Sequence, residues 1–401
     1  MSTENEKIAE LAEKIYPEIV AIRHILHQNP ELSFKEFETA KLIEKTLTNF
    51  GITCQRLPDC TAVVGTITGL AGGGCIALRA DMDALPIQEK SGLAFMSNIS
   101  EVMHACGHDL HTANLLGVAH ILKNMSAAFQ GTIKLLFQPA EEMGGGAQEL
   151  IDFGVLKNPP VNACLAAHTS ENTLVGQVVI KPEEVMLASA GFTIDFTGEG
   201  GHGAAPHKTQ DPLLAAASYI VEIQALPGRA QNFLDPAIIT VGYIKGGTRA
   251  NIIAQKVTIR GSIRAQRKEA VKKIIEKMRQ LLQAKELATG VKGIIEITEG
   301  LDAVYNDIEL TEQLRQVAKE ILGKENVFTA KFPANGSENF ALFSSKIPSV
   351  FFHFGVKEDN GLAAAPSHSP YFTAADSSLL PAMKIMSKGA LSFLQNFSTA
   401  K

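Results

Sequence analysis

The chain has 401 residues, of which 45% are hydrophobic, and its formal net charge at pH 7 is −5. This length predicts about two or three domains, and the mild acidity without a basic block excludes nucleic acid and anionic membranes as partners. The absence of an apolar run of about 18 residues excludes a membrane span, and five unpatterned cysteines with no apolar signal segment predict a cytoplasmic protein.

The first two segments of the chain predict amphipathic helices. Apolar residues recur at helical spacing from Ile8 to Leu26. Ser33 and Glu36 have the spacing of a capping box, which predicts that a second helix begins there and ends near Gly51. We interpret both helices as scaffold.

The next part of the chain alternates short apolar strands with helices. Apolar runs predict strands near 75–80, 131–137 and 162–167, with helices near 110–125 and 145–153 between them. Near-continuous apolar strands indicate a sheet that is covered on both faces. Each strand is followed by an acidic residue or a histidine, and sites in such sheets form at the carboxyl ends of the strands. The sequence therefore predicts an α/β domain with a site at one edge of its sheet.

A different pattern begins near Met186. Its predicted elements occur in the order β-α-β-β-α-β, which is the order of a ferredoxin-like unit. We therefore interpret residues 186–299 as an inserted α+β domain. Residues 1–185 and 300–401 then form one α/β domain with a central mixed sheet, which the C-terminal elements complete.

One short segment concentrates side chains that bind metals. His104, Cys106, His108 and His111 lie within eight residues, where a loop enters a predicted helix. The helix N-terminus lowers the pKa of a thiol, and a thiolate beside an imidazole is a metal-ligand pair. A hydrogen-bonded structural cluster is the alternative. Seven histidines are interpreted as structural or supporting, namely His24, His27, His104, His111, His120, His207 and His353.

Glu141 and Glu142 form a second candidate site at the end of a predicted strand. Adjacent carboxylates can divide their tasks, because one can bind a metal while its neighbour acts as general base. A solvated turn is the alternative interpretation. Pro139 and the glycines from Gly144 to Gly146 favour a fixed turn after a buried strand, and therefore a functional pair.

Three further stretches carry candidate binding residues. His202 lies between glycines, so that its ring can meet a ligand, although a turn histidine is the alternative. Its G-x-G-x-x-G pattern is not a dinucleotide site, because Pro206 follows where a helix should open. Arg249 and Asn251, on a glycine-rich turn, suit carboxylate recognition or are surface residues. His368 lies between two prolines as a possible ligand or an ordinary loop residue.

Several motifs together carry a family resemblance. They are residues 79–87, 103–109, 137–142, 200–207 and 248–253. In this order, they resemble the amidohydrolase branch of the M20 family of aminoacylase- and carboxypeptidase-like metallopeptidases. This branch includes hippurate hydrolases, N-acyl-amino-acid amidohydrolases, auxin-conjugate hydrolases and N-acetyl-diaminopimelate deacetylases. The resemblance implies a zinc-peptidase-like catalytic domain and a lid domain through which the chain forms a homodimer or a higher homo-oligomer.

The resemblance also implies two divalent metal ions per chain, which would be Zn, Mn, Ni or Co. Cys106 would bridge the two ions. His108 and His168 would hold one ion, and Glu142 and His368 would hold the other. Ions that share a water lower the pKa of that water and polarise an amide carbonyl.

The remaining site residues receive roles from the same resemblance. Glu141 would be the general base, and Asp83 would orient a metal-bound ligand. His202 would stabilise the oxyanion, in related proteins often in the site of a partner subunit. Arg249 and Asn251 would hold the free carboxylate of the substrate.

Two positions depart from the common family pattern. Asn339 and Thr373 stand where the family commonly has Asp, so the assignment of His368 depends mainly on its position. The predicted function is hydrolysis of the amide bond of N-acetyl, N-benzoyl or N-aryl-acetyl amino acids. The alternatives are a small-peptide carboxypeptidase or dipeptidase, and a catalytically silent protein that binds acyl-amino acids.

Overall fold

The computed structural model describes residues 3–230, 232, 235–360 and 364–397. Its contacts divide the chain into two units. The principal unit comprises Met1–Val185, Tyr305–Phe332 and Glu338–Lys401. The inserted unit comprises Met186–Val304 and Pro333–Ser337.

The described helices and strands are numbered here in chain order. The helices are α1 Glu4–Gln28, α2 Phe37–Asn49, α3 His108–Asn124, α4 Gly146–Phe153, α5 Pro212–Ile223, α6 Leu226–Ala230, α7 Lys268–Thr289, α8 Ile308–Leu322, α9 Ala341–Ser344 and α10 Leu379–Phe397. The strands are β1 Thr53–Arg56, β2 Val63–Thr68, β3 Leu70–Asp81, β4 Gln130–Gln138, β5 Ala163–Leu174, β6 Val178–Val179, β7 Glu183–Glu184, β8 Ala188–Thr197, β9 Gly201–His202, β10 Ala237–Gly246, β11 Ile252–Ile253, β12 Lys256–Ala265, β13 Lys292–Glu299, β14 Tyr305–Asn306, β15 Val327–Phe328 and β16 Ser349–Lys357. Among these helices, none has the length and apolar character that a bilayer crossing requires.

The described part of the principal unit contains an eight-stranded sheet in the order β1-β2-β4-β3-β5-β16-β6-β15. Strands β4, β3, β5 and β16 are parallel, whereas β1, β2 and β4 pair antiparallel. The predicted mixed sheet is therefore confirmed. The central strands carry continuous buried runs, in which Leu78, Leu165 and Phe352 are fully buried, because helices cover the sheet.

The register of the parallel strands brings their carboxyl ends to one edge. Asp81, the last residue of β3, pairs with Gln138, the last residue of β4, and His168 of β5 pairs with His353 of β16. Segments that follow these ends therefore start close together in space. They carry the acidic and imidazole side chains described below.

The inserted unit contains a four-stranded antiparallel sheet in the order β10-β12-β8-β13. With α5 between β8 and β10 and α7 between β12 and β13, this is the predicted ferredoxin-like arrangement. Phe196, Tyr219 and Ile274 belong to its separate buried core. Asp211 caps α5 by accepting the backbone N–H groups of the first turn, and Pro212 occupies the first helical position, where no N–H is needed.

The predicted capping box before α2 is wrong. The helix begins at Phe37, and neither side chain of the predicted pair caps it. The carboxylate of Glu31 accepts the first backbone N–H groups instead. Ser33 donates a hydrogen bond to Asp83 and Glu36 is buried, because this loop packs against the strand ends, where tertiary partners replace the local ones.

Candidate metal centre

A left-handed glycine shapes the turn that leads into α3. Gly107 has φ +84°, and a Cβ atom there would lie 2.8 Å from two side-chain atoms of Thr169. Only glycine fits this backbone at this distance. The Thr169 hydroxyl donates to the Cys106 carbonyl at 3.1 Å, which fixes the turn that carries Cys106 and His108.

Hydrogen bonds assign the free nitrogen of two histidines. His108 donates from Nδ1 to Oδ1 of Asp83 at 3.1 Å, and His168 donates from Nδ1 to the carbonyl of Thr169 at 2.8 Å. In each ring Nε2 is therefore the nitrogen that is left for a ligand. Nε2 of His168 lies 3.6 Å from Sγ of Cys106.

Glu142 and His368 form the other half of the site. Nε2 of His368 lies 3.2 Å from Oε1 of Glu142, and Nε2 of His108 lies 4.0 Å from the same oxygen. Asp83 joins the two halves, because its Oδ2 accepts the backbone N–H of Glu142 at 3.1 Å. The backbone N–H of His368 donates to Ala105 in the loop before Cys106.

The donor atoms fit a pair of metal ions. Ligand atoms of Cys106, His108 and His168 lie within 4.8 Å of one another, and so do those of Cys106, Glu142 and His368. Among the described residues, His108 Nε2 is buried without a hydrogen-bond partner, and it faces Oε1 of Glu142 at 4.0 Å. A buried ring nitrogen without a partner that faces a carboxylate oxygen fits the binding of a cation. The mixture of sulfur, nitrogen and oxygen suits Zn, Mn, Ni or Co.

The adjacent carboxylates have opposite pKa shifts. Burial and the negative charge of Glu338 raise the pKa of Glu141 well above its usual value. In Glu142 burial acts in the same direction, but the neighbouring His368 and His108 lower the pKa overall. The two neighbouring carboxylates therefore lie in different electrostatic environments, and the predicted division of tasks between them stays a prediction.

Asn339, one of the departures from the family pattern, holds Glu141. Its backbone N–H donates to Oε1 of Glu141 at 3.0 Å, and its side-chain Nδ2 donates to the Glu141 carbonyl at 3.1 Å. An ionised Asp could not make the second bond, because it has no hydrogen to donate. Thr373, the other departure, is exposed.

His111 is close to the site but is occupied by other partners. Its Nδ1 donates to Asp81 at 2.6 Å, and its Nε2 accepts the backbone N–H of Thr169 at 2.9 Å. Burial lowers the pKa of His111 to about 3, so the ring is neutral. Both nitrogens are used, and His111 therefore supports the site and does not serve as a ligand.

Sequence reasoning gave no role to Arg79, which is buried under the site. Its guanidinium donates to Asp81 at 2.7 Å, to Glu338 at 2.8 Å and to Gln138 at 2.8 Å. It neutralises carboxylates beside Glu141 that would otherwise repel one another. An Arg inside an apolar strand was the available signal, because such a residue needs acidic partners.

Arg79→Met is expected to lower the free energy of unfolding by about 3–5 kcal/mol, because it leaves Glu338 buried without its cation. Urea unfolding of the metal-free protein measures this change. The control is Lys384→Met, which breaks a pair with the largely exposed carboxylate of Glu13 and should cost less than about 1 kcal/mol. Equal losses in both variants would contradict the assigned role of Arg79.

His202, Arg249 and Asn251 lie together in the inserted unit, whereas the ligand cluster lies in the principal unit. His202 on β9 pairs with β11, and Asn251 accepts the backbone N–H of Gly203 at 2.9 Å. The side chain of His202 accepts the N–H of Ala204 at Nδ1, which leaves the Nε2 hydrogen as a donor. All three side chains are exposed.

Comparison with known proteins places these features in a family. Residues 77–391 match the profile of peptidase family M20/M25/M40. N-acetyl-L-cysteine deacetylase of Bacillus subtilis is 36% identical over 384 residues, which cover 96% of this chain and 90% of that protein. Thermostable carboxypeptidase 2 of Saccharolobus solfataricus is 35% identical over 376 residues, with coverage of 92% and 93%. A crystal structure of similar fold is that of the Bacillus subtilis YXEP protein, described as a dinuclear metal binding peptidase from the M20 family. Its sequence is 30% identical to this chain, and the two structures superpose with a TM-score of 0.83 over 96% of this chain and 99% of that chain.

Proposed function

Because the chain belongs to peptidase family M20/M25/M40, as its motifs predicted, we propose that it is a metal-dependent amidohydrolase that cleaves N-acyl amino acids. The relative named N-acetyl-L-cysteine deacetylase supports an acylated substrate. The relative named a carboxypeptidase supports the alternative, which is hydrolysis of small peptides on the same scaffold.

One observation carries the proposal, namely that two groups of candidate ligands share Cys106. The sharing supports Cys106 as a thiolate that would help to hold both ions. We assign His108 and His168 to one ion and Glu142 and His368 to the other. Divalent ions bound there would polarise the amide carbonyl and lower the pKa of water.

The proton transfers are assigned to Glu141. Its Oε1 is held by the backbone of Asn339, which leaves the other oxygen to take the proton of the attacking water and return it to the leaving amine. Asp83 orients both halves of the site, since it holds the ring of His108 and the backbone of Glu142. It acts through these residues and needs no direct contact with substrate.

The inserted unit supplies the proposed substrate contacts. The guanidinium of Arg249 and the amide of Asn251 suit the free carboxylate of an amino acid, because both donate hydrogen bonds to paired oxygens. The Nε2 hydrogen of His202 suits the oxyanion that develops during hydrolysis. These are the roles that the family resemblance implies for the three residues.

We also propose that the chain forms a homo-oligomer through the inserted unit. Helix α5 exposes Leu214 and Val221, at 67% and 72% of their surface, and β10 is an edge strand of the inserted sheet. A second copy of this chain would cover both features. Sedimentation analysis of Leu214→Lys tests this, since a charge there should shift the protein toward monomer.

A catalytically silent binding protein is the second alternative. Such a protein has no need of a second carboxylate beside its ligands, and the position of Glu141, next to Glu142 and held by the backbone of Asn339, therefore favours an enzyme. Tight binding of N-acyl amino acids without turnover by metal-loaded protein would support the silent alternative.

The test compares N-acetyl, N-benzoyl and indoleacetyl amino acids with free dipeptides that end in the same residue. The proposal predicts that kcat/KM for the best N-acyl substrate exceeds that for the matched dipeptide by about tenfold or more. A preference for free dipeptides would reassign the enzyme to the peptidase alternative.

A further inference from the structure

Glu36 is the residue before the first turn of α2, but its side chain does not cap the helix. It is fully buried, and its Oε1 accepts the backbone N–H of Ala140 at 2.9 Å. Its Oε2 accepts the hydroxyl of Thr61 at 2.7 Å. The partners of the carboxylate in the described part of the chain are thus neutral donors, and burial raises the pKa of Glu36. Burial of an acid without a paired cation is costly, which points to a specific task.

Ala140, which Glu36 holds, has an unusual backbone. Its φ is +48°, in the left-handed region that alanine rarely adopts. Its carbonyl accepts the N–H groups of Gly144 and Gly145, so it closes the turn that contains Glu141 and Glu142. Rotation of this residue would move both carboxylates at once.

A neighbouring residue of the same loop makes a second contact with the site. Ser33 donates to Oδ2 of Asp83 at 2.7 Å, and the same oxygen accepts the N–H of Glu142 at 3.1 Å. The loop before α2 therefore contacts the segment after β3 through Ser33 and the segment after β4 through Glu36. It links the two segments that carry acidic site residues.

We propose that Glu36 is a positioning residue, which holds Ala140 in its left-handed conformation and thereby places the carboxylates of Glu141 and Glu142. The inference deepens the proposed hydrolase function, on which its kinetic readout rests. The measurement of metal affinity does not depend on that function. Failure of the positioning role of Glu36 can therefore be distinguished from failure of the proposed hydrolase function.

The first test compares Glu36→Leu with Glu36→Gln. Leucine removes the acceptor for Ala140, and kcat should fall about ten- to hundredfold with KM changed by less than about threefold. Competition with a chromophoric chelator should show Zn²⁺ affinity weakened by about tenfold. Glutamine keeps one oxygen for Ala140 while Thr61 can accept from its amide, so both quantities should remain within about threefold of wild type.

The second test is rescue by Ala140→Gly in the Glu36→Leu background. Glycine adopts positive φ without strain. The double variant should therefore recover at least about a third of the lost Zn²⁺ affinity, measured on a logarithmic scale, and its kcat should rise as well. Asn306→Leu is the matched control. Asn306 is a buried side chain that holds the backbone of Phe351 on β16, and its loss should lower Tm while kcat stays unchanged.

If Glu36→Leu does not fold, Glu36→Asp replaces it, since the shorter carboxylate cannot reach Ala140 and the same rescue is expected. The proposal is overturned if folded Glu36→Leu or Glu36→Asp keeps wild-type Zn²⁺ affinity. It is also overturned if Ala140→Gly restores nothing, because Glu36 would then act only on stability. If wild-type protein binds Zn²⁺ but hydrolyses no acyl amino acid, the Zn²⁺ affinities of the variants alone test whether Glu36 is a positioning residue.

Discussion

Glu141→Gln is expected to lower kcat for an N-acyl amino acid by about 10²- to 10⁴-fold while the metal ions stay bound. The amide cannot take the proton of water, but it preserves the size of the side chain and the bond from the Asn339 backbone. Steady-state kinetics measures kcat, and elemental analysis of the gel-filtered protein measures metal content.

The neighbouring Glu142→Gln is the matched control for that variant. Oε1 of Glu142 lies among the candidate ligand atoms, so this change should weaken metal binding first and reduce kcat as a consequence. Excess metal should then restore part of the activity of Glu142→Gln and none of that of Glu141→Gln. Near-wild-type turnover by metal-loaded Glu141→Gln would remove Glu141 as the base.

The second large effect is expected for Cys106→Ala, which should lose metal from both positions and lower kcat by more than about 100-fold. The reason is that Cys106 belongs to both ligand groups, so its removal would take one ligand from each of the two ions. Titration of metal-free protein with Zn²⁺ or Mn²⁺ measures the number of ions bound per chain.

Cys164→Ala provides the control for the thiol. Cys164 is fully buried and lies on β5, but it is outside the candidate ligand groups among the described residues. We expect Cys164→Ala to bind the same number of metal ions per chain as the wild type. Full metal content in Cys106→Ala would show that the two groups do not share this thiolate.

The sequence could predict candidate ligands where the signals are local, whereas the complete ligand set, His368 included, was implied by the family resemblance. Cys106, Gly107 and His108 are consecutive, and Glu141 and Glu142 follow a strand that is apolar enough to recognise as buried. Parallel strands place their carboxyl ends at one edge, so residues that are distant in sequence were expected to meet there. The alternation of strands and helices likewise gave the mixed sheet and the ferredoxin-like unit.

The supporting contacts could not be predicted, because their partners are far away in sequence. Arg79 pairs with Glu338, which is 259 residues away, and no periodicity indicates such a partner. Ser33 and Glu36 have the spacing of a capping box, but their side chains bind groups outside the helix. Local patterns fail where the loop packs on the site, since tertiary hydrogen bonds there outcompete local ones.

The positions of His202, Arg249 and Asn251 show a different limit. Their motif was recognised and the structure places them on one ribbon of the inserted unit. Their roles toward substrate depend on contacts with the principal unit or a partner subunit, which sequence patterns do not specify. These roles stay predictions, and substitution of each residue with measurement of KM tests them.

The most direct test of the account is removal and return of metal during hydrolysis of one N-acyl amino acid. The protein is treated with a chelator, gel-filtered, and titrated with Zn²⁺ or Mn²⁺ while product release and bound metal are measured together. The account predicts that activity is lost on chelation and returns in full as bound metal reaches two ions per chain. Turnover that survives complete removal of metal, or that does not return when both ions are bound, would contradict it.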